Sequence, residues 1–137
     1  MSEPTLRAAL VVAKTLGSGP AANAAALVMG QLAWRAEWLY AAEPLLDREG
    51  MDHAAIRYST VVLKGGPGQL RTAALRARST PGVTCVVFPQ IARGLNNAFE
   101  SYADTVRGSA GLELAAIGIA GPDELVRALT KTFSVLA

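Results

Sequence analysis

The sequence predicts an α/β fold with four strands in a largely parallel or mixed sheet and helices on both faces. Two apolar runs near the ends of the chain, Leu6–Ala13 and Leu112–Ile119, read as strands because turn residues and a helical pattern follow each. Strand and helix patterns also alternate between them, which favours a sheet covered by helices. We expect the 137 residues to form a single α/β domain, 1–137.

The first half of the chain contains two predicted strand–helix units. Leu6–Ala13 is almost continuously apolar, as in a strand covered on both faces. Gly17 to Pro20 ends it, and the first helix is predicted from Pro20 to Tyr40 with a break near Glu37. Residues 44–52 are predicted to be irregular. The second unit is strand Ser59–Lys64 followed, after a glycine-rich turn, by helix Gln69–Arg78.

The second half repeats the pattern twice. Val83–Phe88 is a predicted buried strand that follows a Pro-Gly turn. Apolar and aromatic residues at helical spacing then predict a helix over Ile91–Val106. The strand Leu112–Ile119 leads to a last helix, Pro122–Phe133, whose first turn carries proline and two acidic residues.

Composition narrows the class of protein. Apolar residues make up 51% of the chain and charged residues 18%, which excludes a disordered chain. The net charge of +2 argues against nucleic-acid binding, because the arginines are scattered. Arg71 and Arg78 would share one helix face with Arg76 apart from them, and we interpret that face as solvated rather than as a phosphate track.

The sequence indicates no cofactor, metal or membrane anchor. Cys85 is the one cysteine, so no disulfide forms within the chain, and its apolar strand favours a structural thiol. His53 is the one histidine, so a histidine-rich metal site is excluded. No signal peptide or membrane-spanning run is evident, and we expect a cytoplasmic protein of bacterial type.

The loop between the first strand and first helix is the strongest candidate ligand site. Backbone N–H groups at a helix start attract anions, and α/β sheets bind ligands at the carboxyl ends of strands. The predicted ligand-binding residues are Lys14, Thr15, Ser18, Gly19 and Asn23. The loop lacks the signatures of a P-loop and of a dinucleotide site, and a plain tight turn is the structural alternative. Asn23 is expected to be packed, either tying the helix to a loop or facing a pocket.

Two other groups of residues suggest different functions. His53 is the weak catalytic candidate, since Asp47 or Asp52 could make it a general base, although no nucleophile is marked and an exposed loop histidine is the alternative. Trp34 and Trp38 would be i, i+4 neighbours on the first helix. We interpret them as core or subunit-interface residues, and with Tyr40 they could form an apolar partner-binding patch.

Several short segments, in order, resemble one known family. They are Val11 to Leu27, Val61 to Lys64 with Gln69-Leu70, and Ala116 to Pro122 with Leu125-Val126. These segments resemble the type 2 peptidyl-tRNA hydrolase fold and, more closely, its uncharacterised relatives, the Domain of Unknown Function 2000 family. That family's Asn after the first loop, Asp-x-x-Gly turn and Gly-Pro helix start correspond to Asn23, Asp47–Gly50 and Gly121-Pro122. The resemblance implies a four-stranded mixed sheet in a three-layer sandwich, often as a homodimer.

The resemblance does not extend to the residues that catalyse the hydrolase reaction. With Asn23 as anchor, the hydrolase lysines fall on Gly17 and Gly19, its histidine falls on Ala26, and its acidic residue falls near Gln90. A hydrolase without a cation for the phosphate and a base for the ester lacks its mechanism. The sequence therefore predicts a non-hydrolytic homodimer that binds a small or anionic ligand. The alternatives are a divergent hydrolase using His53 and a partner-binding module.

Overall fold

The computed structural model describes residues 5–136 and has mixed α/β architecture. Its strands and helices are β1 (Leu6–Ala13), α1 (Ser18–Arg35), β2 (Leu45–Leu46), β3 (Asp52–His53), β4 (Ser59–Gly65), α2 (Pro67–Arg78), β5 (Thr84–Pro89), α3 (Phe99–Arg107), β6 (Leu114–Pro122), α4 (Asp123–Thr130) and β7 (Ser134–Val135). Short 3₁₀ helices cover Glu37–Leu39 and Gln90–Gly94. No helix within this part of the chain has both the length and the apolar character needed to cross a membrane.

Within residues 5–136 the main sheet has five strands in the order β5-β6-β1-β4-β7, so the predicted count of four is wrong. β1 and β4 are parallel, and each other neighbouring pair is antiparallel. The additional strand is β7, which pairs with β4 at Leu63 and Lys64. Two residues are too few to show the alternation that marks a strand in a sequence. The irregular stretch likewise contains a separate small hairpin of β2 and β3.

Helices cover both faces of the sheet, and β1 lies in the middle of both cores. Ala8, Leu10 and Val12 contribute to the core beneath α1. Ala9, Val11 and Ala13 contribute to the opposite core, beneath α2 and α4. Because successive side chains of a strand point to opposite faces, a strand buried on both sides must be apolar throughout. This explains the uninterrupted apolar run near the start of the chain.

Three predicted helices differ from the structure, and the last of them, α4, ends at Thr130 rather than at Phe133. The first ends at Arg35, because Ala36 leaves helical geometry (φ −110°, ψ 76°), and a 3₁₀ turn follows near the predicted break. The predicted helix Ile91–Val106 is wrong over its first half, since α3 starts only at Phe99. Asn97 has a positive φ of 58°, a left-handed conformation that separates α3 from the preceding 3₁₀ turn.

Candidate anion-binding site

The ends of β1 and β4 form a topological switch point. These adjacent parallel strands pair in register to their last residues, Ala13 and Gly65. The chain then leaves β1 through α1 on one face of the sheet and leaves β4 through α2 on the other. Open α/β sheets bind ligands in the crevice created where connections diverge in this way. The predicted ligand loop lies at this edge.

The N-terminus of α1 is open to solvent and has no cap from a side chain. Its N-cap is Gly17, and its first turn carries no acidic residue. Ser18 and Gly19 are exposed, and Pro20 has no N–H group to donate. At the start of α2, Gln69 Oε1 accepts a hydrogen bond of 2.9 Å from the N–H of the N-cap residue Gly66. The positive end of the α1 dipole is available to an anion at this edge.

Four of the five predicted ligand residues lie together at this edge. Lys14 and Thr15 are exposed between the end of β1 and the start of α1, next to Ser18 and Gly19. The Lys14 N–H donates to the Gly65 carbonyl at 2.9 Å, which ties the loop to β4. The Lys14 side chain leans over the start of α2, with its Cε 3.9 Å from where a Cβ on Gly66 would lie.

Asn23 is not packed as expected. The buried residues of α1 are Ala21, Ala24, Ala25, Val28 and Leu32, which form a single helical stripe. Asn23 lies off this stripe and is exposed. The alanines of this segment occupy both sides of the helix, so the sequence pattern did not show which side faced the sheet.

His53 is held by Asp47 on the small hairpin. Its Nε2 lies 2.8 Å from Asp47 Oδ2, and 55% of its side chain is exposed. Asp47 Oδ1 also accepts hydrogen bonds from the N–H groups of Glu49 and Met51 across the turn. The His53 hydrogen bond is the largest cause that lowers the pKa of Asp47 from 3.8, and those N–H groups add to it. Asp52, the other carboxylate considered, is not the partner.

Trp34 and Trp38 do not share a helix face, because α1 ends between them. Trp34 is 75% exposed. Trp38 is half-buried and contacts Tyr58 edge-to-face, with ring centroids 5.5 Å apart. Tyr40 is also half-buried and pairs with Ile56 in an isolated bridge. The three aromatic residues therefore differ in role, and Trp34 is the one that remains available for an interface.

A cavity that the sequence did not indicate lies between α2, β5 and α3. Its volume is about 500 Å³, and residues of all three elements line it. Arg71 and Arg78, placed on one helix face by the sequence, both line it, and Arg76 does not. The arginines were detectable from their spacing, but the wall opposite them comes from α3, whose position depends on the tertiary fold.

Cys85 lines this cavity and is only half-buried, so its predicted burial is incomplete. Removal from solvent raises the pKa of its thiol to about 11, and the nearby positive charge of Arg78 opposes that rise in part. Tyr102 lines the same cavity, and burial raises the pKa of its phenol too. Both groups are therefore protonated at neutral pH, and the thiol is a poor nucleophile.

The fold and these features define an α/β protein with a mixed sheet and a switch point between β1 and β4. The chain matches, over residues 6–137, the family described as protein of unknown function (DUF2000), and it belongs to that family. A solved structure from Agrobacterium tumefaciens, of a protein of unknown function, is similar with a TM-score of 0.80 and 15% identity. That similarity covers 96% of this chain and 98% of the other, and it shows the fold alone. No curated protein matches the chain.

Proposed function

We propose that this chain is a non-hydrolytic protein that binds a small anion at the switch point, through Lys14, Thr15, Ser18 and Gly19. The observation that carries the proposal is the uncapped start of α1, placed beside an exposed lysine at the ends of two parallel strands. An anion there would accept hydrogen bonds from free N–H groups and be attracted by the helix dipole and the ammonium. Asn23 lies on the exposed side of the same helix and could contact a larger ligand.

A titration with inorganic phosphate, followed by amide NMR, tests the proposal. We expect phosphate to shift the Ser18 and Gly19 resonances and Lys14→Ala to weaken binding about fivefold, because one charge–anion contact is lost. Lys131→Ala is the matched control, since Lys131 is an exposed lysine just after α4. Equal weakening by both variants, or no shift at Ser18 and Gly19, would contradict the proposal.

The proposed fold family is that of the type 2 peptidyl-tRNA hydrolases, without their chemistry. Its support is the order of sequence segments together with the mixed sheet covered on both faces. Gly17, Gly19 and Ala26 stand where the resemblance places two lysines and a histidine. Without those residues, the function that we propose for the loop between β1 and α1 is ligand binding. We also propose that the protein is cytoplasmic.

We propose a homodimer that uses the exposed side of α1. Leu27 is 50% exposed and Trp34 is 75% exposed, and they lie seven residues apart, on the same side of the helix. Light scattering is expected to give twice the chain mass for the wild type and the single mass for Trp34→Ala. Leu75→Ala is the control, because Leu75 is a 40% exposed apolar side chain of α2, which covers the opposite face of the sheet. A wild-type mass of one chain would overturn this proposal.

The runner-up function is a divergent hydrolase, and the His53–Asp47 hydrogen bond favours it. A general base needs such an orienting carboxylate. Against it, the His53 side chain is 55% exposed on the small hairpin, and Asp47 is the one side chain with which it forms a hydrogen bond among residues 5–136. Loss of an esterase activity in His53→Ala would support the runner-up, and activity unchanged by the substitution would exclude His53 as its base.

A further inference from the structure

The cavity between α2, β5 and α3 is independent of the proposed switch-point site and has the features of a ligand pocket. Its volume of about 500 Å³ lies within the ~300–1,000 Å³ typical of small-molecule sites. Most of its lining is apolar, including Leu75, Val87 and Leu114. Neither Lys14 nor any residue of the α1 start contributes to it.

The charge at the rim of this cavity is positive and uncompensated. Arg71 and Arg78 lie two helical turns apart, about 10.5 Å along α2. Within residues 5–136 neither arginine forms an ion pair with a carboxylate, whereas Arg7, Arg107 and Arg127 do. Among residues 5–136, no aspartate or glutamate lines the cavity. An anion would therefore meet two free guanidinium groups and no repelling charge.

The wall formed by α3 is apolar, and residues 5–136 leave it partly uncovered. Phe99 is 60% exposed and Val106 is 37% exposed, and of this helix only Ala103 is buried. Tyr102 and Val106 face the cavity. A ligand with an apolar body would cover part of this surface, and that burial would add favourable free energy.

We infer that this cavity binds an organic carboxylate with an apolar chain, its carboxylate held by the arginines of α2 and its chain lying along β5 and α3. The positive rim selects the charged head, because guanidinium groups pair with carboxylates through two parallel hydrogen bonds. The apolar wall selects the body.

Two probes of the same length separate charge recognition from apolar binding: octanoate and its neutral analogue octanamide. In titrations followed by amide NMR, we expect both probes to shift the amide resonances of Cys85 and Val87. We expect octanoate to bind about tenfold more tightly than octanamide. Arg71→Gln with Arg78→Gln should lower octanoate affinity to the level of octanamide. Arg76→Gln is the matched control, since it removes a charge from the same helix outside this cavity.

Three results would overturn the inference. They are equal affinity for both probes, equal loss of octanoate binding in Arg76→Gln, and the absence of shifts at Cys85 and Val87.

A second variant tests the apolar half alone. Val87 is 49% exposed, so Val87→Trp can be accommodated and should fill the cavity and weaken both probes. Unchanged binding of both probes in that variant would also overturn it.

Discussion

At the scale of single residues, the Asp47 carboxylate organises the small hairpin. Its two oxygens accept hydrogen bonds from Glu49, Met51 and His53, and Gly50 completes the turn with a positive φ of 83°. An aspartate that begins a turn commonly bonds to the backbone in this way. The Asp-x-x-Gly segment therefore has a structural explanation that does not require catalysis.

We predict that His53→Ala raises the pKa of Asp47, because the largest cause of its lowering is lost. The N–H groups of Met51 and Glu49 remain and keep that pKa below 3.8. A lowered pKa in the folded state stabilises the fold above the ordinary pKa, and this contribution is lost as pH falls through the folded pKa. Carbon-13 titration of the carboxyl group measures the change, and the same curve in both proteins would contradict it.

Cys85 gives a second prediction at this scale. Its pKa is raised from 9.0 to about 11 in the fold, so its alkylation by iodoacetamide should still accelerate above pH 9. In the urea-unfolded chain the rate should level off near the ordinary thiol pKa. A raised acid pKa stabilises the fold at pH values below 9 and loses that contribution as pH rises towards 11. A plateau near pH 9 in the folded protein would contradict the prediction.

At the scale of elements, the small residues of α1 and β6 allow a close contact between helix and sheet. A Cβ on Gly118 would lie 2.6 Å from Val28 Cγ1 and 3.2 Å from Leu32 Cδ2. Ala24 and Ala25 lie on the same buried stripe of α1. The buried alanines of the helix are thus explained by close packing against the sheet.

We predict opposite effects for two glycine-to-alanine substitutions in this layer. Gly118→Ala should lower the free energy of unfolding by about 1–3 kcal/mol, because the added methyl group overpacks the contact with Val28. Gly30→Ala should raise it by about 0.5–1 kcal/mol, since Gly30 is exposed on α1 with open space around it. Urea unfolding measures both. Equal effects of the two changes would refute the close α1–β6 contact.

At the scale of the whole molecule, the proposed anion site lacks the residues that the resemblance to the type 2 peptidyl-tRNA hydrolases would require. Glycine and alanine occupy the positions that the resemblance assigns to lysines and a histidine, at Gly17, Gly19 and Ala26. Ala26 is exposed on α1, so a histidine there would find room.

We therefore predict no detectable cleavage of peptidyl-tRNA by this protein, because glycine and alanine replace the lysines and the histidine that the resemblance assigns to the reaction. An authentic type 2 peptidyl-tRNA hydrolase under the same conditions is the positive control. Any cleavage by the wild type above the buffer rate would contradict the prediction, and its loss in His53→Ala would support the runner-up function.

The sequence determined the parts of the fold that depend on long apolar patterns. The bounds of β1 are those predicted, and β4, α2 and β5 differ from prediction by at most two residues at either end. A strand buried on both faces must be apolar throughout, and a helix on a sheet needs a stripe at 3.6-residue spacing, so both leave local signals. The sequence also placed Lys14, Thr15, Ser18 and Gly19 together, since they adjoin in the chain.

Only the tertiary structure decided what depends on distant segments. β7 is a strand because β4 offers a free edge, not because two residues favour extension. Asn23 is exposed because the other side of α1 packs against the sheet. Alanines lie on both sides of the helix, so the sequence did not show which side would be buried. The cavity exists because α3 lies opposite Arg71 and Arg78, more than twenty residues away in the chain. A local sequence pattern shows which residues can be buried. Contacts between elements that are distant in the chain determine which of their faces are buried.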